Sequence, residues 1–417
     1  MPHSTHVSRS LSRALCIKTQ PDAGLFAAAG FSLSSATPPA VVASIREGRF
    51  PTEVTEDPSR MNRKLKIGFV GAGAMGQCAH LRNFASLPDC EVVALAELRP
   101  EMARQVAARH GVARVYPTHR ELLAHEALDG IVAAQPFQRH GLLLPELLKA
   151  GVPLLTEAPL ASSVPAGERI VEAVRASPAW LMVGYQRRCD PATQWVHGEI
   201  GRLRQTGELG PLRYLRVTMP PGDWVANGFN GMMTSDETVR ALEHEPPPAD
   251  MDAPMYRAYL GFVNGYIHQV NLIRHLLGED WEIVSVDPTG VVLQGRSAGG
   301  LPCVLEMAPW TNSIDWQESA LICFERGWLR LDLPAPLAFN RAGSVELCYD
   351  PKGGTPERRR PQMPWEHAMR RQAIAFCQAI RGEIEPPCTA EEALKDLILA
   401  RDYIRALQEA QAVTSGG

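Results

Sequence analysis

Apolar and polar positions follow two different rhythms along this chain. The stretch KLKIGFVGAGAMGQCAHLRNFASL opens with a short apolar run, breaks at a glycine cluster, and continues with a spacing that suits a helix. CEVVALAE follows as a second strand-like run. Strand-like and helix-like segments then take turns through EMARQVAARHG, RELLAHEAL, GIVAAQPF, RHGLLLPELLKAG, VPLLTEAP, AGERIVEAVRAS and AWLMVGYQRR. Such alternation predicts a parallel sheet with helices on both faces, whose ligands sit outside the carboxyl ends of the strands. From about residue 186 the rhythm changes. PLRYLRVTM, EIVSVD, LPCVLEMAPW, SALICFERGWLRLDL and SVELCYD read as strands of a mostly antiparallel sheet, with a hairpin corner at Glu325–Gly327. MYRAYLGFVNGYIHQVNLIRHLLGE predicts a helix that stops at Gly278, and PWEHAMRRQAIAFCQAIRG and TAEEALKDLILARDYIRALQEA predict two more. The polar, Pro- and Gly-containing stretch from about Pro220 to Asp252 reads as a long loop over a site.

The glycine cluster gives the first half of the chain a chemistry. Gly71, Gly73 and Gly76 fit G-x-G-x-x-G, with Ala74 and Met75 between them. The first glycine allows a tight turn, the second lets the backbone approach a pyrophosphate, and the third lets helix and strand pack closely. Glu97 ends the second run 21 residues after Gly76, where an acid meets the adenosine ribose hydroxyls. The expected fold class is therefore α/β. A Rossmann doubly wound parallel sheet spans 63–185, and an α+β domain with a mostly antiparallel open sheet and C-terminal helices spans 186–417. On this reading Gln135, Pro136, Glu157 and Tyr185 to Arg188 share one sheet edge with the glycine loop.

Composition narrows the classes. The 417 residues exceed one ordinary domain, 45% are apolar, 21% charged, and the formal charge is -4. No basic field exists for nucleic acid or anionic lipid, so neither is expected as a partner. Nine scattered cysteines with no Cys-x-x-Cys spacing argue against a disulfide framework and a structural zinc site. No metal is expected, and a reducing cytoplasm fits. Residues 1–62 stand apart as an N-terminal extension. Its first twenty residues lack acids, which admits a cleaved targeting peptide, but Met61 just ahead of NRKLKIGFVGAGAMG favours an extension before a later start. No run reaches the roughly 18–20 apolar residues a spanning helix needs.

In motif order and spacing the chain resembles the Gfo/Idh/MocA family of nicotinamide-dependent oxidoreductases over about Lys64 to Ala406. The resemblance rests on IGFVGAGAMG, the acid ending the second strand, QPFQRH in place of Thr-Pro-Asn-x-x-His, EAPLA in place of Glu-Lys-Pro, GYQRRCDPA, GELGPLRYLRV and HQVNLIRHLLGE. It implies NAD as cofactor, held by Gly71, Gly73, Ala74, Met75, Gly76, Glu97, Gln135, Pro136, His140 and Glu157. Glu97 favours NAD over NADP by repelling a 2′-phosphate, while the nearby Arg99 keeps NADP open. Family members place a lysine after the glutamate, where it handles the substrate hydroxyl; here Ala158 stands, and a methyl group carries no proton. The family's Asp-x-x-x-His-x-x-Asp signature becomes Asn264, His268 and Asn271. His268 is thereby implied as the acid/base, with Tyr185, Arg187, Tyr266, Asn264 and Asn271 toward a small polar, sugar-, polyol- or amine-like substrate. Each has a plainer reading: His268 as a buried helix residue, Glu157 as a strand-end cap, Arg187 and Arg188 as ion-paired residues, Tyr266 as packing. His275 reads as structural, and Asp223 and Trp224 as loop residues toward the pocket. Two further functions stay open: a dinucleotide-binding protein with little redox activity, and a lyase or hydrolase that recycles NAD. The resemblance also implies a homodimer or homotetramer through the C-terminal sheet.

Overall fold

The computed structural model describes residues 63–415 apart from 239–240, 309 and 311–312, so the extension expected over 1–62 lies outside the described residues. Strands β1 (Leu65–Val70), β2 (Cys90–Ala96), β3 (Arg114–Tyr116), β4 (Gly130–Ala133), β5 (Leu154–Glu157) and β6 (Leu181–Gly184) pair in the order β3-β2-β1-β4-β5-β6, all parallel. The strand order reverses at β1 and β4, the crevice where such sheets bind dinucleotides. Ile67, Phe69, Val132 and Leu155 are almost fully buried, because helices cover both faces of a parallel sheet. β3 was not expected. Its three residues are largely exposed and too few to show a period.

The helices of this half are a π-wound turn (Gly76–Leu81) running into α1 (Arg82–Phe84), α2 (Pro100–His110), α3 (His119–His125), α4 (His140–Leu148) and α5 (Val164–Arg175). Their starts follow local chemistry: the Thr118 and Ser163 hydroxyls accept the N–H groups of Glu121 and Ala166, satisfying donors that a helix start leaves free. Next come α6 (Pro191–Thr206), capped by Asp190, and β7 (Leu212–Thr218). After the long loop comes α7 (Ala253–Leu277), capped by Asp252 and ended by Gly278 at φ 69°. Strands β8 (Trp281–Val286), β9 (Val292–Ser297), β10 (Pro302–Glu306), β11 (Glu318–Phe324), β12 (Gly327–Leu333), β13 (Ser344–Tyr349) and β14 (Glu357–Arg359) join β7 in an eight-stranded sheet, order β14-β13-β12-β11-β7-β10-β9-β8. All its pairs are antiparallel except β7 with β10. The Glu325–Arg326 hairpin closes β11 onto β12 as the sequence predicts. β9 and β14 were not expected, because VLQGRS and ERR carry too few apolar residues to read as strands.

The last helices, α8 (Ala368–Ile380) and α9 (Ala390–Ser415), return to the first sheet. Phe376 packs edge-on against Phe84 and Trp180, and Val183 donates to the Cys388 carbonyl at 3.0 Å. These contacts pack α8 and the segment leading into α9 against the first sheet. Among the described residues no helix is long and apolar enough to cross a membrane, and no cluster of His, Cys, Asp and Glu is arranged to hold a metal ion.

Candidate active site

A cleft of about 610 Å3 opens where the parallel strands end, with the glycine loop and β4–β5 ends on one wall and α7 and Trp316 on the other. Gly71 sits at φ 103°, and a Cβ there would fall 2.3 Å from Gln135 Nε2 and 2.5 Å from the Ala134 carbonyl. At Gly76 a Cβ would meet the Gly71 carbonyl at 2.4 Å. Both positions need glycine for the chain's own packing. Gly73 differs: nothing lies within 4 Å of a Cβ there, and Gly73, Ala74, Met75 and Gly76 all line the cleft. The first helical bond runs from Gln77 N–H to the Gly73 carbonyl at 2.9 Å, so the N–H groups ahead of it are those a helix start leaves for a phosphate. The loop therefore fits the pyrophosphate of a dinucleotide.

Glu97 stands just past β2, beside that loop. One carboxylate oxygen accepts from Ala72 N–H (2.9 Å) and the other from Arg99 N–H (3.2 Å) and Nε (2.7 Å). Burial pushes its pKa up, and the Arg99 guanidinium and these N–H donors outweigh burial, leaving it below its ordinary value. At β4 and β5, Gln135, Pro136, Glu157 and Ala158 line the cleft. Gln135 is held by Arg139 at 2.5 Å. Glu157 is bonded to His80 from the π-wound turn. Burial raises the Glu157 carboxyl, and the surrounding His80, His268 and His140 imidazoles outweigh it, so it too lies below its ordinary value.

The opposite wall comes from α7. Asn264, Gly265, Tyr266, His268 and Gln269 line the cleft. His268 Nδ1 is shielded and has no hydrogen-bond partner, and its ring packs edge-on against Tyr185 at 5.5 Å. Burial first, then the Arg187 guanidinium, lowers the His268 pKa to about 4, against a smaller opposing pull from Glu157. Tyr266 donates its hydroxyl to the Met307 carbonyl at 3.1 Å. Arg187 lines the cleft but is already paired with Glu318, donates to the Pro334 carbonyl at 3.0 Å, and leaves only Nε without a partner. Gln269 holds the other Glu318 oxygen at 2.8 Å.

Tyr185, His140 and Asn271, three of the expected site residues, lie outside this cleft, and Gly71 and Glu97 do not line it either. Tyr185 is buried behind His268. His140 is fully buried, its ring nitrogens 3.1 Å from the Leu160 and Gln135 carbonyls, so it braces the loop that carries Gln135. Asn271 accepts from Arg188 Nε and donates to Asp396, both at 2.7 Å, within an interior network that continues to Arg274. The expectation of direct ligand contact is corrected for these three, because their polar atoms are shielded or spent on the fold. Glu97 likewise does not line the cleft itself; it is beside the glycine loop. Arg188 is ion-paired with Glu392, and His275 stacks on His197 at 4.2 Å. Trp224 lines the cleft, whereas Asp223 caps its own turn through Val225 and Ala226 N–H.

Sequence reasoning missed Gln269, Trp316 and His80, and it set Gln186 at the sheet edge without giving it a role. Gln186, Gln269 and Trp316 line the cleft, and the side-chain oxygens of the two glutamines and the Trp316 indole N–H are shielded and have no partner. A buried unpartnered polar atom is costly unless something arrives to pair with it. Gln269 directly follows His268, which was a signal at hand; Trp316 lies in a connecting segment with no pattern to mark it.

The long loop crosses the edge of the parallel sheet as a strap. None of its described residues between Thr218 and Ala253 is helical or in a strand. It is tied to Arg82 through the Asn230 carbonyl (2.9 Å), to Gln77 through both the N–H (3.0 Å) and carbonyl (3.1 Å) of Met233, and to Gln138 through Glu245 N–H (2.8 Å). Glu237 accepts from the Glu101 and Met102 N–H groups, each at 2.9 Å, at the start of α2.

A doubly wound sheet with a glycine loop at its switch point, joined to a second open sheet that closes a polar cleft, has the architecture of a two-domain dinucleotide-binding fold. Residues 65–185 match the model of the oxidoreductase family GFO_IDH_MocA, NAD-binding Rossmann fold. An inositol 2-dehydrogenase of Corynebacterium glutamicum (strain R) is 30% identical over 189 residues, 45% of this chain and 54% of the relative; the chain thus spans about half the length of the curated relatives it matches. A dehydrogenase from Chromobacterium violaceum shares the fold with a TM-score of 0.64 at 18% identity, covering 85% of this chain and 98% of that one. An oxidoreductase from Agrobacterium radiobacter, solved with NAD+, L-tartaric acid and magnesium, does so with a TM-score of 0.59 at 17% identity, covering 84% and 96%.

Proposed function

We propose that the protein is an NAD(H)-dependent oxidoreductase that interconverts a hydroxyl and a carbonyl, or the amine equivalent, on a small polar polyol- or sugar-like substrate. The observation that carries this reading is His268, an imidazole with no hydrogen-bond partner at its buried Nδ1, on the wall of the cleft that the glycine loop opens onto. The bound nicotinamide would supply the hydride acceptor. The chain supplies the rest. Gly73 to Gly76 would hold the pyrophosphate, and Glu157, fixed by His80, would stand toward the nicotinamide ribose. When a substrate hydroxyl is oxidised, His268 would take its proton on the ring nitrogen open to the cleft. Its neutral form is the one the cleft favours, so it acts first as a base. The free oxygens of Gln186 and Gln269 accept from neighbouring substrate hydroxyls, and Trp316 Nε1 and Arg187 Nε donate to substrate oxygens. Ala158 contributes no proton, so the lysine role of the family falls to His268. Tyr266 and Asn264 shape the mouth.

The test is His268→Ala, assayed for turnover across a polyol and sugar panel and titrated with NADH by nicotinamide fluorescence. Loss of turnover with retained NADH binding supports the assignment; an unchanged rate removes His268 from the mechanism. A wild type that binds NADH yet turns over no substrate points to the second reading, a dinucleotide-binding protein with little redox activity, which Ala158 and the Arg187–Glu318 pairing favour. We further propose a homo-oligomer formed through the open face of the eight-stranded sheet. The eight cysteines among the described residues are free thiols, which supports a reducing, cytoplasmic setting.

A further inference from the structure

The start of α2 is already occupied by an anion from another part of the chain. The Glu237 carboxylate, brought in by the strap, takes the N–H groups of Glu101 and Met102 at 2.9 Å each, and Ser235 Oγ holds one of its oxygens at 2.7 Å. Three residues before the first residue of α2 stands Glu97, whose carboxylate holds both the glycine loop and Arg99. Arg99 is thus bonded to one carboxylate, Glu97, and within the electrostatic reach of the other, Glu237. The remaining charges of the turn are spent locally, Glu101 on Arg104 and on Gln105 at 2.8 Å.

This corner is where the two coenzymes differ. In a doubly wound sheet the acid that ends the second strand meets the adenosine ribose. A 2′-phosphate on that ribose would seek what lies next to it: the first-turn amides of α2 and the Arg99 guanidinium, the two kinds of donor that bind phosphate best. Here Glu237 has the amides and Glu97 has the guanidinium. NAD carries a hydroxyl at that position and needs neither.

We propose that Glu237 is a cofactor-selectivity residue, which excludes NADP(H) by filling the phosphate-binding start of α2 with the strap's own carboxylate. The proposal rests on the dinucleotide-binding reading and adds to it a residue 140 positions beyond Glu97 in the chain. It also gives the strap a role beyond covering the cleft: its register decides which coenzyme the parallel sheet accepts.

Nicotinamide fluorescence titrations of the full chain with NADH and NADPH test it, comparing wild type, Glu237→Gln and the double variant Glu237→Gln with Arg99→Ala. Wild type is expected to bind NADH at least tenfold more tightly than NADPH, and Glu237→Gln to reduce that ratio about tenfold or more, the order of magnitude of removing one like charge from a phosphate contact. Adding Arg99→Ala should restore much of the ratio by taking away the cation the phosphate would gain. If Glu237 only anchors the strap, Glu237→Gln weakens both coenzymes in parallel and the ratio stays where it was, which overturns the proposal. A wild type that prefers NADPH overturns it as well. A wild type that binds neither coenzyme brings down the oxidoreductase reading itself, and the proposal with it, so the two failures are told apart by the wild-type titration.

Discussion

The His268 side chain combines two features that a purely structural histidine avoids: a shielded nitrogen without a partner, and a guanidinium nearby that opposes its protonation. Both disfavour the imidazolium, and its pKa falls to about 4. The sign follows directly. The base form, required for oxidation of a hydroxyl, persists down to that pH and is lost as the pH falls through about 4, so kcat/KM for oxidation should show no inflection near 6.5 from this group. A pH–rate profile between pH 4 and 9 checks it, and an acid limb centred near the ordinary histidine value would contradict the assignment. Arg187, the source of that repulsion, is itself fixed by Glu318, and both side chains are almost fully buried. Removing one member of such a pair strands the other, so Glu318→Ala should destabilise the protein by about 3–5 kcal/mol in thermal or denaturant unfolding. Asn271 shows where sequence reasoning at this scale stops. It lies three residues after His268, about 4.5 Å further along the α7 axis. That step carries it past the cleft and into contact with Arg188 and Asp396, and Asp396 comes from α9, 125 residues on. Nothing in the α7 segment alone signals that partner.

Single elements were legible wherever local pattern and tertiary packing agree. The β1–glycine–helix unit, the long α7 with its Gly278 stop and the Glu325–Arg326 hairpin each carry their own signals in contiguous sequence. β3, β9 and β14 do not, because their order comes from neighbouring strands and their own residues are polar or too few. The glycine loop offers a test of which parts serve the fold and which serve the ligand. Gly71→Ala forces a Cβ against Gln135 and Ala134 at φ 103°, so it should cost about 2–4 kcal/mol of stability from backbone strain and overpacking together. Gly73→Ala points a methyl into open space and should change stability by no more than about 0.5 kcal/mol, while weakening NADH binding because the methyl stands where the pyrophosphate would approach. Thermal unfolding and an NADH titration on both variants separate the two roles. Equal loss of stability in both would mean that the loop is purely structural.

At the scale of the whole molecule, the eight-stranded sheet has one face inside and one outside. Leu215, Val217, Leu305, Ala320, Ile322, Leu329 and Leu331 alternate inward and are fully buried in the core that includes α7. The residues between them form the other face: Tyr214, Arg216, Val304, Leu321, Cys323 and Trp328 are only half-buried. Register places them together, with Cys323 opposite both Tyr214 and Trp328, and Leu321 opposite Arg216 and Arg330. An antiparallel sheet that keeps one face wet ordinarily makes that face polar. Here leucine, valine, tyrosine and tryptophan alternate with arginine, a mixture closer to an interface, in which aromatic residues and arginine are enriched. The expected outcome is a homo-oligomer in light scattering coupled to size exclusion. Leu321→Glu, which adds a charge at the centre of that face and leaves the buried side untouched, should shift the protein toward monomer with little change in unfolding temperature. An oligomer that Leu321→Glu leaves intact would place the contact elsewhere. A wild type that runs as a monomer at all concentrations would mean that this face is exposed for another purpose.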